Sequence, residues 1–196
     1  VTVAGDSIAL GLGIAMRDAA DSSADDGSTL VRAIGEDGTG LARPDSFDWP
    51  TRLADLARDH PPGVLVFSVG SNDAQDLTES SGRTVATMAD DEAWDEEYTR
   101  RLAAVFDSFE DTGTTVVWVG HVRPEDELVA DMNRHIHELA TEAAATRDWV
   151  QVQDLAELTG SGADGTSECL SRDGLHLNAT CYSDAADTLL ERLDPA

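Results

Sequence analysis

The sequence contains no lysine: its 13 basic residues are all arginine, set against 39 aspartates and glutamates for a net charge of −26. Such a field repels phosphate backbones and anionic lipid, which argues against nucleic-acid and membrane-surface partners. The acids are scattered along the chain, as in a solvated surface suited to salt, rather than gathered where they would steer a cationic ligand. Long apolar runs are also missing. None approaches the roughly 18–20 residues that span a bilayer, so no direct membrane insertion is expected of this segment. Aromatic residues make up 5% of the chain. There is no initiator methionine, and no charged-then-apolar leader precedes Val1-Thr2-Val3-Ala4, which reads as a strand already under way. The chain is therefore expected to be excised or processed from a longer parent. What is present, 196 residues with 41% hydrophobic and 27% charged, suits one globular domain over 1–196 with a substantial core.

Cysteine is nearly absent. Cys169 and Cys181 are the only two, both near the C-terminus with His176 between them. Two thiols and one imidazole fall short of a four-ligand zinc site. A disulfide would close a short loop, contribute roughly 3 kcal/mol and imply an oxidising compartment. Two buried thiols are the alternative. The disulfide is favoured because it would brace the loop that carries His176.

Strand and helix patterns alternate. Continuous apolar runs at 1–4, 29–34, 63–69, 114–119 and 149–153 suit strands covered on both faces. Helical patterns lie at about 8–20, 50–60, 92–111, 125–147 and 179–193, the last with Ala185, Ala186, Leu189, Leu190 and Leu193 on one face. This rhythm predicts an α/β domain with a parallel sheet between helical layers. Three stretches break it: 35–48, 74–91 and 154–172. Loops this long in a compact α/β domain are more often functional than idle, and those following strands belong at the carboxyl edge of the sheet, where ligands bind.

Three short blocks fall on that edge. Gly5-Asp6-Ser7 follows the first strand and opens a helix; Ser7 is a nucleophile or, with Asp6, a helix cap. Gly70-Ser71-Asn72-Asp73 follows the third strand, where Asn72 can present a side-chain N–H or simply form an Asx turn. Asp173-Gly174-Leu175-His176-Leu177 precedes the last helix, and an Asp three residues before a His can curl back to its ring. Together they offer a nucleophile, a base with an orienter and an oxyanion donor.

With Ser7, a glycine in the 35–40 loop, Asn72 and His176 in this order, nearly the whole chain resembles the SGNH, or GDSL-type, hydrolases. The resemblance implies a flavodoxin-like three-layer α/β/α sandwich with a five-stranded parallel sheet. It implies Ser7 as nucleophile, His176 as base and Asp173 as its orienter. It also implies an oxyanion hole from the Ser7 amide, a loop-glycine amide and the Asn72 side chain. Gly38 lies best for the glycine position, with Gly40 and Gly35 as close rivals, and Ile8 replaces the usual leucine after the serine. Gly38-Thr39-Gly40-Leu41-Ala42-Arg43-Pro44-Asp45 and then Phe47-Asp48-Trp49-Pro50 are similar to a branch of periplasmic SGNH proteins with Gly-Leu-x-Arg and Asp-Trp-Pro. The chain also resembles SGNH domains fused behind membrane acyltransferases that modify envelope sugars.

The motifs point to no metal or organic cofactor. His121, after the fourth strand, could line the pocket but reads first as a turn residue. His135 and His137 are two apart on one helix and face different sides. Asn178-Ala179-Thr180 matches a glycosylation sequon but suits a helix cap. Asp90-Asp91-Glu92 and Asp95-Glu96-Glu97 read as an acidic helix start. The leading expectation is an extracytoplasmic serine esterase removing small O-acyl groups from an acylated small molecule or carbohydrate. Its rivals are an acyltransferase output domain, coupled to an upstream membrane domain, and a non-catalytic glycan-binding module.

Overall fold

A computed structural model describes residues 1–22, 29–121, 123–160 and 166–193. The elements run β1 (Thr2–Gly5), α1 (Ser7–Ser22), β2 (Arg32–Gly35), α2 (Trp49–Asp59), β3 (Val64–Ser68), β4 (Leu77–Thr78), β5 (Thr84–Ala86), α3 (Asp91–Asp107), β6 (Thr115–Gly120), α4 (Glu127–Ala144), β7 (Val150–Asp154), α5 (Leu155–Leu158), α6 (Thr166–Cys169) and α7 (Ala179–Leu193). Five strands form one parallel sheet in the order β2-β1-β3-β6-β7. This is the parallel sheet that the strand–helix rhythm predicts, wound in the flavodoxin-like order that the family resemblance implies.

Alternation along the strands divides the core into two layers. Val3, Val66, Val117 and Val119 pack with Ile8, Leu12 and Met16 of α1 and with Ala185 and Leu189 of α7. Ala4, Leu65, Phe67, Val116 and Trp118 face the other way, onto Leu53 of α2, Tyr98 and Phe106 of α3 and Ile136 of α4. That second layer is aromatic. Phe67 lies between Trp49 (centroids 5.7 Å apart) and Trp118 (5.6 Å). Buried sheet faces on both sides are the reason the strands read as continuous apolar runs.

The boundaries differ from the sequence pattern in understandable ways. The second strand pairs only from Arg32, and Leu30, counted in the apolar run, is 85% exposed. The helical pattern at 92–111 ends at Asp107, because Phe109 continues the apolar spacing while lying buried in a turn. The irregular stretch 74–91 contains a small antiparallel hairpin, β4–β5. That at 154–172 contains the four-residue helices α5 and α6, and its residues 161–165 lie outside the described residues. Among the described residues no helix is long and apolar enough to cross a membrane.

Strand order reverses about β1, so β1 and β3 flank the switch point, with α1 and α2 on opposite faces. Chain leaving the carboxyl ends of these two strands opens a crevice there. Ser7 follows one of them and Asn72 the other.

Candidate active site

The turn from β1 into α1 is forced by close packing. Gly5 has φ +141°, and a Cβ on it would fall 1.8 Å from the Ser68 carbonyl of β3, so only glycine fits. Asp6 then caps the helix, its Oδ1 accepting from the amides of Ile8 (2.9 Å) and Ala9 (3.4 Å). Ser7 becomes the first helical residue, at the positive end of the helix dipole. Among the described residues none accepts from its amide.

The 169–181 loop brings the histidine back to this point. The Cys169–Cys181 disulfide closes it with Cα atoms 5.5 Å apart, as favoured from the sequence. Ser171 N donates to His176 O (2.7 Å) and Asn178 N to Cys169 O (2.7 Å). Asn178 caps α7 through its Oδ1 (Cys181 N, 3.1 Å) while its Nδ2 donates to Glu168 O. Within the loop, Asp173 Oδ1 accepts from the amides of Leu175 (2.9 Å) and His176 (3.0 Å) and from the Ser171 hydroxyl (2.8 Å). Asp173 Oδ2 lies 2.8 Å from His176 Nδ1, and His176 Nε2 lies 2.7 Å from Ser7 Oγ. The Leu175 amide, the imidazole and the His176 amide hold the Asp173 carboxyl well below the usual carboxylate range. An ionised Asp173 keeps the proton on Nδ1 and leaves Nε2 free to accept the Ser7 proton.

The Asn72 block and the 35–48 loop meet beside Ser7. Asn72 Nδ2 donates to Thr39 O (3.0 Å) and Asp6 Oδ2 (3.3 Å), tying β3, the 35–48 loop and the start of α1 together. Thr39 is itself propped by Trp49, whose Nε1 donates to its Oγ1 (2.9 Å). This gives the Asp48-Trp49-Pro50 run a local purpose: Asp48 caps α2, proline occupies its first turn and the buried indole sets the loop. Of the three rival glycines, Gly35 ends β2, Gly38 sits exposed in a turn at φ +71°, and Gly40 is buried against Asp73. Among the described residues there are no cis peptide bonds. With the Thr39 carbonyl turned to Asn72, the N–H of the same peptide, that of Gly40, points away from Asn72.

Several supporting residues escaped the sequence reading. Asp73, fully buried, accepts from Leu41 N (3.1 Å), Ala42 N (2.7 Å) and Tyr98 OH (2.7 Å), pinning the Gly70–Asp73 block to the 35–48 loop and to α3. Burial pushes its carboxyl up to about 6 despite these donors, and pushes that of Asp6 up to about 7. Arg101, 4% exposed, spans from Glu97 to the carbonyls of Leu41, Ala42 and Thr78. His121 is a buried imidazole hydrogen-bonded to Ser71 rather than a surface turn residue. The signal for Asp73 was its place beside Asn72; Arg101 was masked by its helix's many charges. His135 pairs with Asp95 (2.6 Å), while the His137 ring lies against Gly120. Asp90 caps α3 through Ala93 N. Among the described residues, no three or more His, Cys, Asp or Glu side chains are grouped to hold a metal. A depression of about 490 Å³ adjoins the site, lined by Ser71, Glu125, Val129, Asp173 and Leu175 among others.

This arrangement can activate a hydroxyl at a helix N-terminus. A family model described as a protein of unknown function, DUF459, matches residues 1–191. The chain belongs to the DUF459 family. Solved structures add the fold of this DUF459 chain. It is similar to a lipase/acylhydrolase from Enterococcus faecalis, with TM-score 0.68 and 17% identity over 98% of this chain and 94% of that one. A lipolytic protein of the G-D-S-L family from Veillonella parvula superposes with TM-score 0.67 and 18% identity over 98% and 96%. A carbohydrate esterase of family 3 from Talaromyces cellulolyticus gives 0.59 and 17% over 98% and 95%. The fold is thus that of the SGNH hydrolases. Among curated proteins, none matches the sequence.

Proposed function

We propose that this DUF459 chain is a serine esterase that removes small O-acyl groups, acetyl-like in size, from carbohydrate. The observation that carries the reading is the continuous line from Ser7 Oγ to His176 Nε2 (2.7 Å) and from His176 Nδ1 to Asp173 Oδ2 (2.8 Å). In the first half-reaction His176 takes the Ser7 proton as Oγ bonds to the ester carbonyl carbon. The tetrahedral intermediate collapses, the alcohol leaves with the proton from His176, and the acyl group stays on Ser7. Water then attacks, giving its proton to His176; the acid departs and Ser7 recovers its proton.

The developing oxyanion is stabilised by the amides of Ser7 and Gly38 and by Asn72 Nδ2. Gly38 is preferred to Gly40 because the Gly40 N–H points away from Asn72. The Asn72 contact that an oxyanion competes for is the longer one, to Asp6. One donor of this kind is worth about 2.7–4 kcal/mol of barrier. The carbohydrate and the short acyl chain rest on family likeness, and the presence of a carbohydrate esterase among similar folds supports them. The disulfide supports an extracytoplasmic site of action.

Acyl transfer to an envelope glycan hydroxyl uses the same intermediate with a sugar in place of water, and a parent with an upstream membrane acyltransferase domain would supply the donor. An intact Ser-His-Asp line argues against a module that only binds glycan. The test is acid release from short-chain aryl esters by wild type and Ser7→Ala, with sugar acceptors added in a second series. Loss of turnover in a folded Ser7→Ala protein is expected. Equal turnover in both proteins would refute the serine mechanism; acyl-sugar formation at the expense of free acid would favour transfer. Tight glycan binding without wild-type turnover would favour the binding module.

A further inference from the structure

His121 belongs to none of the motif blocks, yet it touches two of them. Its Nδ1 lies 3.2 Å from Ser71 N and 2.7 Å from Ser71 Oγ. A backbone N–H can only donate, so Nδ1 must be the acceptor and the ring proton must sit on Nε2. That Nε2 is buried, has no hydrogen-bond partner among the described residues and faces Asp6 Oδ1 at 3.8 Å. Burial lowers the imidazole pKa to about 4, so the ring is neutral at ordinary pH. From the other side Asn133 of α4 donates to Ser71 Oγ (3.1 Å). Ser71 is therefore gripped through both its amide and its hydroxyl.

The next residue is Asn72, which donates to Asp6 and to Thr39. We infer that His121 is a positioning residue: by holding Ser71 through Nδ1 it fixes the direction of the Asn72 side-chain amide at the edge of the Ser7 site. Rotating the Ser71–Asn72 peptide would swing Nδ2 away from the point where negative charge develops. Oxyanion stabilisation depends on donors already in place before reaction. On the far side of Asn72 the loop is pinned by Asp73 and by Gln75, whose Nε2 donates to Asn72 O; on the strand side the grip is on Ser71. The kinetic part of the test rests on the esterase reading above; the spectroscopic part does not.

The variants separate the acceptor from the bulk of the ring. In His121→Asn an amide oxygen stands near the position of Nδ1 and can still accept from Ser71. In His121→Leu nothing accepts, and His121→Gln, which also lacks an acceptor at that position, serves if leucine prevents folding. The Asn72 side-chain amide resonances in ¹⁵N-labelled protein are expected to shift or broaden in His121→Leu and to stay near wild type in His121→Asn. With a short-chain aryl ester, His121→Leu should lower kcat roughly 10- to 100-fold, short of losing a whole donor, with KM within about twofold. In an Asn72→Ala background the same substitution should cost less than about twofold, because the two act through one interaction. Unmoved Asn72 resonances in His121→Leu would overturn the inference, and so would an equal kinetic penalty in both backgrounds. If wild type hydrolyses no ester, the esterase reading fails while the resonances still decide the role of His121.

Discussion

Replacing Tyr98 with phenylalanine tests the bond that ties α3 to the Gly70–Asp73 block. Tyr98 is fully buried, its ring stacked on Trp94 with centroids 4.6 Å apart, and phenylalanine preserves that packing. The lost atom is the hydroxyl that donates to Asp73 Oδ2 at 2.7 Å. Above pH 6 the buried acceptor is ionised, and a hydrogen bond to a charged group contributes about 1.5–3 kcal/mol. Near pH 5 Asp73 is protonated and the bond is between neutral groups, about 0.5–1.5 kcal/mol. At about 2–4 °C per kcal/mol for a chain of this size, Tm should fall by about 3–12 °C at pH 8 and about 1–6 °C at pH 5. The direction with pH follows from linkage. Burial raises the folded-state pKa of Asp73 from an ordinary 3.8 to about 6, so this group costs stability progressively as pH rises between those values. Without the tyrosine donor that pKa moves higher, and the loss extends to higher pH. Thermal unfolding of both proteins at pH 5 and pH 8 is the assay. An unchanged Tm, or a shift as large at pH 5 as at pH 8, would refute the assignment of Tyr98 as a partner of ionised Asp73.

Reducing the Cys169–Cys181 bond, or replacing both residues with serine, reopens a loop with a sequence separation of 12. The cost should be roughly 3 kcal/mol and Tm should drop by about 6–12 °C; calorimetry with and without reductant checks it, and equal transitions would count against a stabilising bridge. Arg101→Met removes the guanidinium donor from the carbonyls of Leu41 and Thr78 and one of the donors, beside Thr78 N, from that of Ala42, and should destabilise by about 3–5 kcal/mol, the range for breaking a buried charged network. Denaturant midpoints measure this, and a loss below about 1 kcal/mol would mean that water replaces the guanidinium.

Much of this architecture is legible in the sequence. Continuous apolar runs point to strands covered on both faces, and their alternation with amphipathic helical segments points to parallel pairing through crossover helices. Gly5-Asp6-Ser7, Asn72 and the Asp173–His176 spacing could be placed at one sheet edge from local order alone, since each directly follows a strand or precedes a helix. The hairpin within 74–91 could not: β4 is two residues long, too short to leave a periodic signature, and its pairing depends on the 42–45 loop it touches.

Distances across the blocks belong to the tertiary structure. Where the Gly40 N–H points depends on the orientation of the Thr39–Gly40 peptide, and that is set by Trp49 and Asn72, residues 10 and 33 positions from Thr39. His121 read as a turn residue because its role is visible only when β3 and β6 lie side by side. The same holds for Asp73 and Arg101: a buried carboxylate or guanidinium is stable only where the fold supplies several partners at once, and those partners come from segments far apart in the chain. Local order is written into neighbouring residues; the convergence of donors on one point arises only when the sheet closes and desolvates them together.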